Sequence, residues 1–142
     1  MREILFKAKR IDNGEWVEGY YFHEVIIGWD MDRHIITTGK VKVKGAYAES
    51  SELIKYEIDP NTLCQYTGLV DKNGNKIWEN DIVGRYSEYQ NKYYCGQVKY
   101  GEFNCTCCEG VYGWYFDGED IRDHSCYEVL GNIFDNPELL EK

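Results

Sequence analysis

The feature that most constrains this chain is its alternation of apolar and polar residues with a period of two, punctuated by glycine-containing turns. The purest case is Lys40-Val41-Lys42-Val43-Lys44, which in an extended chain puts the lysines on one face and the valines on the other. Near the start, Ile4, Phe6 and Ala8 alternate with Glu3, Leu5 and Lys7. Asn13-Gly14 then precedes Trp16–Phe22, a strong hairpin signal. A helix needs a period of 3.6 to bury one face, and such a stripe is hard to find here. With 13 Tyr, 14 Gly and aromatics at 15% of 142 residues, the composition suits pleated, half-buried surfaces. The expectation is an all-β protein.

Further strands are expected at Val25–Trp29 and His34–Thr38, with Asp30-Met31-Asp32-Arg33 between them as a turn or a short disordered tip. A connection and a strand over Leu53–Ile58 follow. Asp59 is placed to cap, and Pro60 to open, a helix that has room for one turn. That turn is the expected boundary between subdomains 1–60 and 61–142. The second half reads as strands at Ile82–Tyr86, Tyr93–Tyr100, Tyr112–Asp117 and Tyr127–Ile133. Asn136-Pro137 repeats the capping device before a short C-terminal helical turn, where Leu139 and Leu140 can cover a core.

Charge and leader sequence bound the setting. The net charge of −9 disfavours phosphate backbones. Residues 1–44 carry 8 Lys/Arg against 7 Asp/Glu, whereas residues 101–142 carry 2 against 10, so a nucleic-acid surface would belong to the first half. The opening Met1–Arg10 holds only a short apolar run between charges, unlike a signal peptide, and no stretch approaches the roughly 20 apolar residues of a membrane helix. The expected compartment is the cytoplasm, with the six cysteines as reduced thiols.

Several constellations invite a chemical reading. Asp71, Asn73 and Asn75 imitate the first ligands of a calcium loop, but Gly74 comes two positions early and Ile82 stands where the last carboxylate belongs. Asn73-Gly74 is expected instead to form a type I′ hairpin turn. Glu79 and Asp81 share a face in a strand and could act as an acid–base pair, yet no histidine, nucleophile or phosphate cradle lies nearby. Asp81 is expected to bond local backbone amides. Cys105, Cys107 and Cys108, with Cys95, Cys126 or His124, offer thiolate and imidazole ligands for zinc, but without the usual C-x₂-C spacing. The alternative is ordinary thiols. His23-Glu24 begins a zinc-protease motif that fails at Ile27, and His34 stands alone. No catalytic, cofactor-binding or metal-binding residue is therefore assigned.

Two surfaces remain. Lys40, Lys42 and Lys44 form either a solvated strand face that discourages edge pairing or a basic strip for an anionic partner. Tyr86, Tyr89, Tyr93, Tyr94 and Tyr100, with Arg85, Lys92 and Lys99, crowd the segment 85–100. Such residues can stack bases, or pack as cross-strand pairs and protein interfaces.

Three blocks of sequence resemble the YopX family of phage and prophage proteins: "MREILFKAK" with "GEWVEGYYF", "QYTGLVDKNGNKIWENDIV", and "YEVLGNIFDNPELLE". Trp78 departs from the family's usual Tyr and Asn80 from its Gly, a change Asn tolerates because it accepts the left-handed conformation. The cysteine cluster is not part of the pattern. The resemblance implies a two-part all-β protein whose C-terminal part is an SH3-like barrel. It implies a phage or prophage origin in a bacterial cytoplasm, with no catalytic residues to transfer. The acidic surface, the aromatic surplus and the missing catalytic apparatus fit a non-enzymatic accessory protein acting through protein–protein contacts, as a homo-oligomer or with a host or phage protein; the alternative is a nucleic-acid-binding module using Lys40, Lys42 and Lys44 or the hairpin 85–100.

Overall fold

The fold, taken from a computed structural model, is described for residues 4–29, 31–44, 50–103, 111–116, 119–120 and 126–140. The side chains at 42–44, 50–52, 103, 111 and 119–120 are not described. The described residues are all-β, with short 3-10 turns at Pro60–Thr62 and Pro137–Leu140, and the chain divides into two compact units, Met1–Gln65 and Tyr66–Lys142. The 3-10 turn at Pro60–Thr62 lies inside the first unit.

The first unit is a meander. Strands β1 (Phe6–Lys9), β2 (Trp16–Ile26), β3 (Met31–Lys44) and β4 (Ser50–Glu57) pair antiparallel in sequence order. The first two residues of β5 (Cys64–Val70) then pair with β1 on its other side. Ala8, Ile36 and Ile58 form the buried core, flanked by Phe6, Val17, Tyr21 and Leu63. Gly19 is there for space: a Cβ would sit 2.2 Å from the Thr37 carbonyl oxygen, and backbone cannot move aside cheaply. The 3-10 turn forms as its sequence requires. Asp59 accepts from the Asn61 amide at 3.0 Å, and Pro60 loses nothing at a position whose amide is unpaired.

In β3 the register shifts between Thr37 and Val41, where Gly39 takes a positive φ. The buried Thr37 hydroxyl holds the irregularity, donating to Ile54 O at 2.7 Å and accepting from the Gly39 amide at 3.1 Å. The second unit repeats the device. Its part of β5 pairs with β6 (Lys76–Trp78), and the register slips between Tyr66 and Val70. Here Thr67 donates to Ile77 O at 2.7 Å and accepts from Leu69 N at 3.1 Å. An extra residue in a strand strands backbone polar groups, and a buried hydroxyl satisfies two of them.

The remaining strands form two three-stranded antiparallel sheets. One has β7 (Asp81–Ser87) between β8 (Lys92–Gln97) and β12 (Glu128–Asn132). The other has β10 (Val111–Phe116) between β9 (Lys99–Phe103) and β11 (Glu119–Asp120). Ile77, Val83, Val98, Phe116 and Tyr127 fill the core, with Phe116 edge-on to Tyr127 at 5.1 Å.

Four expectations need correction. The SH3-like barrel is not formed among the described residues, where the sheets stay open and unclosed. The single strand expected at Tyr93–Tyr100 is two, parted at Val98, whose backbone bonds Asn80 and Asp81 and so redirects the chain. Asn73-Gly74 is not a type I′ turn, since Gly74 takes a positive φ but Asn73 does not. Gly74 N donates to Asp71 O, and Asp71 N to Asn75 O, closing a three-residue loop with glycine in the left-handed position. Asn136 does not cap the 3-10 turn Pro137–Leu140 with its side chain; its Oδ1 accepts from Asn132 N at 3.3 Å and fills the space a Cβ on Gly131 would need. Asn80, with φ of 69°, does take the left-handed conformation.

Candidate functional site

The most distinctive surface is the outer half of the β2–β3 hairpin. The two strands pair without interruption from Tyr20↔Thr37 to Ile26↔Met31. Beside them, β1 reaches only to Gly19 and β4 starts pairing only at Ile35. Ile58 N still donates to His34 O at 2.9 Å, so the segment Glu24–Arg33 is a two-stranded arm, unflanked among the described residues, and the pair His23↔His34 stands at its base. The turn lies at 27–29, ahead of the expected Asp30–Arg33: Gly28 takes φ of +94°, and Trp29 N donates to Ile26 O at 3.4 Å. Only glycine enters that conformation without strain, so it decides where the chain reverses.

The arm's tip is apolar and exposed. Ile27 is 93% exposed, Trp29 77%, Val25 60% and Met31 46%. Val25, Ile26, Ile27, Gly28, Met31 and Asp32 line a shallow hollow of about 350 Å³. Scattered exposed apolar residues are ordinary, but a contiguous group at the end of an arm marks an interaction surface.

Behind the tip, the two faces of the arm differ. On one, Glu24 accepts from Arg33 Nη2 at 2.6 Å and from Lys55 Nζ at 3.2 Å. The hydrogen bond from Arg33, then that from Lys55, holds the Glu24 carboxyl below its ordinary range. On the other face the rings of His23 and His34 stack with centroids 4.4 Å apart and planes 1° from parallel. Tyr21 stacks on His34 at 5.9 Å, its Oη hydrogen-bonded to His34 Nδ1 at 2.6 Å. Phe6 continues the ladder against Tyr21, and Asp32 Oδ2 lies 3.4 Å from His23 Nε2. In the sequence His23 and His34 stand apart; they meet because the pairing that ends at Ile26↔Met31 sets them directly opposite in the register. The only signal available was the glycine that sets the turn.

The residues singled out from sequence have other roles. Asp71 is buried, and Oδ1 accepts from the amides of Asn73 and Asn75 at 2.9 and 2.8 Å. Its Oδ2 accepts from Val129 N at 2.9 Å and from the Asn75 side chain at 3.4 Å. Burial pushes the Asp71 carboxyl up, but the amide bonds from Val129, Asn75 and Asn73 outweigh it and hold it below the usual carboxylate range. Asp81 is also buried and accepts from Trp78 N at 2.9 Å. Both acids tie backbone together. Glu79 is half-buried beside them.

Arg85 and Lys92 both lie over the Tyr94 ring, at 5.4 and 5.1 Å, and Tyr94 packs on the core. Tyr86, Tyr89, Tyr93 and Tyr100 are exposed. Lys40 is exposed, while Lys42 and Lys44 are placed in β3 by backbone register opposite Glu52 and Ser50. Cys95 Sγ donates to Leu139 O at 3.6 Å, and Cys126 is exposed. Cys105, Cys107, Cys108 and His124 lie outside the described residues. Among the described residues no group of three or more His, Cys, Asp or Glu converges on a possible metal position.

Comparison with known proteins agrees with the three sequence blocks. The model of the YopX protein family matches residues 6–141. The chain belongs to the YopX family. It is also similar to protein EF1440 from Enterococcus faecalis, whose crystal structure matches with a TM-score of 0.57 and 25% identity, over 99% of this chain and 100% of that one. No curated protein matches. No helix among the described residues of this YopX family member is long and apolar enough to cross a membrane.

Proposed function

We propose that this YopX family member is a non-enzymatic phage or prophage accessory protein of the bacterial cytoplasm, acting through protein–protein contacts, and that it associates with a second copy of itself through the β2–β3 arm. The apolar, exposed tip of Val25, Ile27, Trp29 and Met31 carries this reading. An isolated two-stranded ribbon is marginally stable in water, so an arm of this kind gains from being covered. A two-fold contact brings the same patch together from both copies, and apolar tips and unpaired strand edges are each self-complementary. The charge distribution agrees, because the acidic excess lies in residues 101–142 and residues 1–44 are nearly neutral.

Sedimentation velocity over a range of concentrations tests this directly. The wild type is expected to associate reversibly. The double variant Ile27→Asp/Trp29→Asp is expected to stay monomeric, with its stability unchanged to within about 0.5 kcal/mol because both positions are exposed. A wild type that remains monomeric throughout, or a variant that associates equally well, would sink the reading.

The exposed tyrosines at 86, 89 and 93, beside Arg85 and Lys92, support a second reading as a nucleic-acid-binding module, with the strip Lys40, Lys42 and Lys44 as the other candidate surface. Backbone contacts strengthen as salt falls, so the absence of a gel shift at low salt removes it.

A further inference from the structure

The His23–His34 pair sits at the base of the arm whose tip carries the proposed contact. Three cross-strand pairs lie between it and the turn: Glu24↔Arg33, Val25↔Asp32 and Ile26↔Met31. Anything that separates the two rings therefore loosens the base on which the tip stands. The rings are face to face, 4.4 Å between centroids and 1° from parallel. Neutral imidazoles stack well in this way. One proton is tolerated, since Asp32 Oδ2 lies 3.4 Å from His23 Nε2 and Tyr21 Oη can accept from a protonated His34 Nδ1. A second proton is not, because it puts two cations in face-to-face contact with one carboxylate at one edge of the pair.

The other charged groups do not relieve this. On the same face, the neighbours in register are Tyr21 and Ile36, and across from Ile36 is Tyr56 of β4 with the Arg10 guanidinium stacked on it at 4.3 Å. That guanidinium is itself bound to Asp12. Glu24, Arg33, Lys55 and Glu57 belong to the opposite face, since they fall one residue out of phase with His23, His34 and Tyr56. Ile58 N ties the backbone at His34 to the first unit, at 2.9 Å from His34 O, but beyond that bond no strand among the described residues flanks Glu24–Arg33, so there its own cross-strand pairs resist the repulsion.

We propose that the stacked His23–His34 pair is a proton-operated lock on the β2–β3 arm: with at most one ring charged the arm is closed and its tip is presented, and when both rings are charged the arm opens. The consequence for self-association rests on the reading given under Proposed function. The lock itself does not. As pH falls through the range where imidazoles take up protons, order in residues 22–33 is lost, while the second unit, which holds none of these groups, is unaffected.

The test is amide hydrogen exchange by NMR, expressed as protection factors so that the intrinsic pH dependence of exchange is removed. Between about pH 8 and about pH 5.5, protection at Phe22–Arg33 is expected to fall roughly five- to ten-fold in the wild type, the effect of two unit charges near 4 Å in a high dielectric. His34→Phe and His23→Phe keep an aromatic ring in the stack and remove one ionisation, so each is expected to abolish that fall. Protection at Ile82 and Val83 is expected to stay flat throughout. Flat protection in the wild type, or an equal fall in the phenylalanine variants, would each overturn the lock. Sedimentation of the same samples reports the self-association reading separately: a wild type monomeric at about pH 8 removes that reading, while the protection factors still decide the lock.

Discussion

The two units solve one local problem identically and then diverge. Each has a strand whose register slips, and each holds the slip with a buried threonine that donates to a carbonyl on the paired strand and accepts an amide two residues on: Thr37 with Ile54 and Gly39, Thr67 with Ile77 and Leu69. Beyond that point the second unit builds the larger core, around Ile77, Val83, Val98, Phe116 and Tyr127, and what it leaves exposed is mainly tyrosine, at 86, 89, 93, 100 and 112. The first unit buries a smaller set around Ala8, Ile36 and Ile58, and leaves four large apolar side chains at the end of an arm. Apolar residues that a fold does not bury are available to a partner. The difference therefore separates a unit with a larger core and exposed tyrosines, whose hydroxyls water can bond, from a unit with a smaller core and an apolar tip.

The sharpest way to break this comparison is to open the second core. Phe116 is fully buried against Tyr127, and Phe116→Ala is expected to destabilise the protein by about 3–5 kcal/mol. If the units are as distinct as their cores suggest, exchange protection collapses at Val83 and Val98 and persists at Ala8 and Ile36. Simultaneous loss in both would refute the distinction.

A smaller effect is expected at Asp71. Asp71→Ala leaves the amides of Asn73, Asn75 and Val129 without their acceptor, at a cost of about 2–3 kcal/mol in urea denaturation. The pH dependence has a definite sign. The folded carboxyl is held below its ordinary range, so its contribution is present above about pH 4 and lost as pH falls through the lower folded value. The variant should lack this acid-side loss. An unchanged acid profile would mean that Asp71 does not link the 71–75 loop to β12 in the way its bonds indicate.

The smallest effect tests the shared device. Thr37→Val and Thr67→Val each remove a donor and an acceptor at nearly constant volume, and each is expected to cost about 1–2 kcal/mol. Similar values in the two units would establish the equivalence; a cost confined to Thr67 would show that the slip in the first unit is held by something else.

Much of the local structure was legible. The capped turn at Asp59–Thr62, the left-handed Asn80 and most strands follow from interactions within a few residues. The loop at 71–75 was legible in position but not in type, because Asp71 bonds two amides inside the loop and a third on Val129 far along the chain. The arm was half legible: its strands were visible, but its turn was expected in the polar stretch after Trp29 and lies instead around Gly28. Displacing a turn changes every cross-strand partner, and with the turn misplaced His23 and His34 had no reason to meet.

The sequence by itself determined that this chain is β-structured, where most strands start and stop, and that it resembles the YopX family. Those properties rest on side-chain alternation, turn chemistry and short motifs, which act over a few bonds. Only the tertiary structure decided that the histidines stack, that Asp71 reaches Val129, that the arm outruns its neighbouring strands, and that the sheets of the second unit stay open among the described residues. Each of these depends on register and on contacts between residues distant in the chain, and the free energy that selects among registers comes from burial across the sheet, which no short stretch of sequence contains.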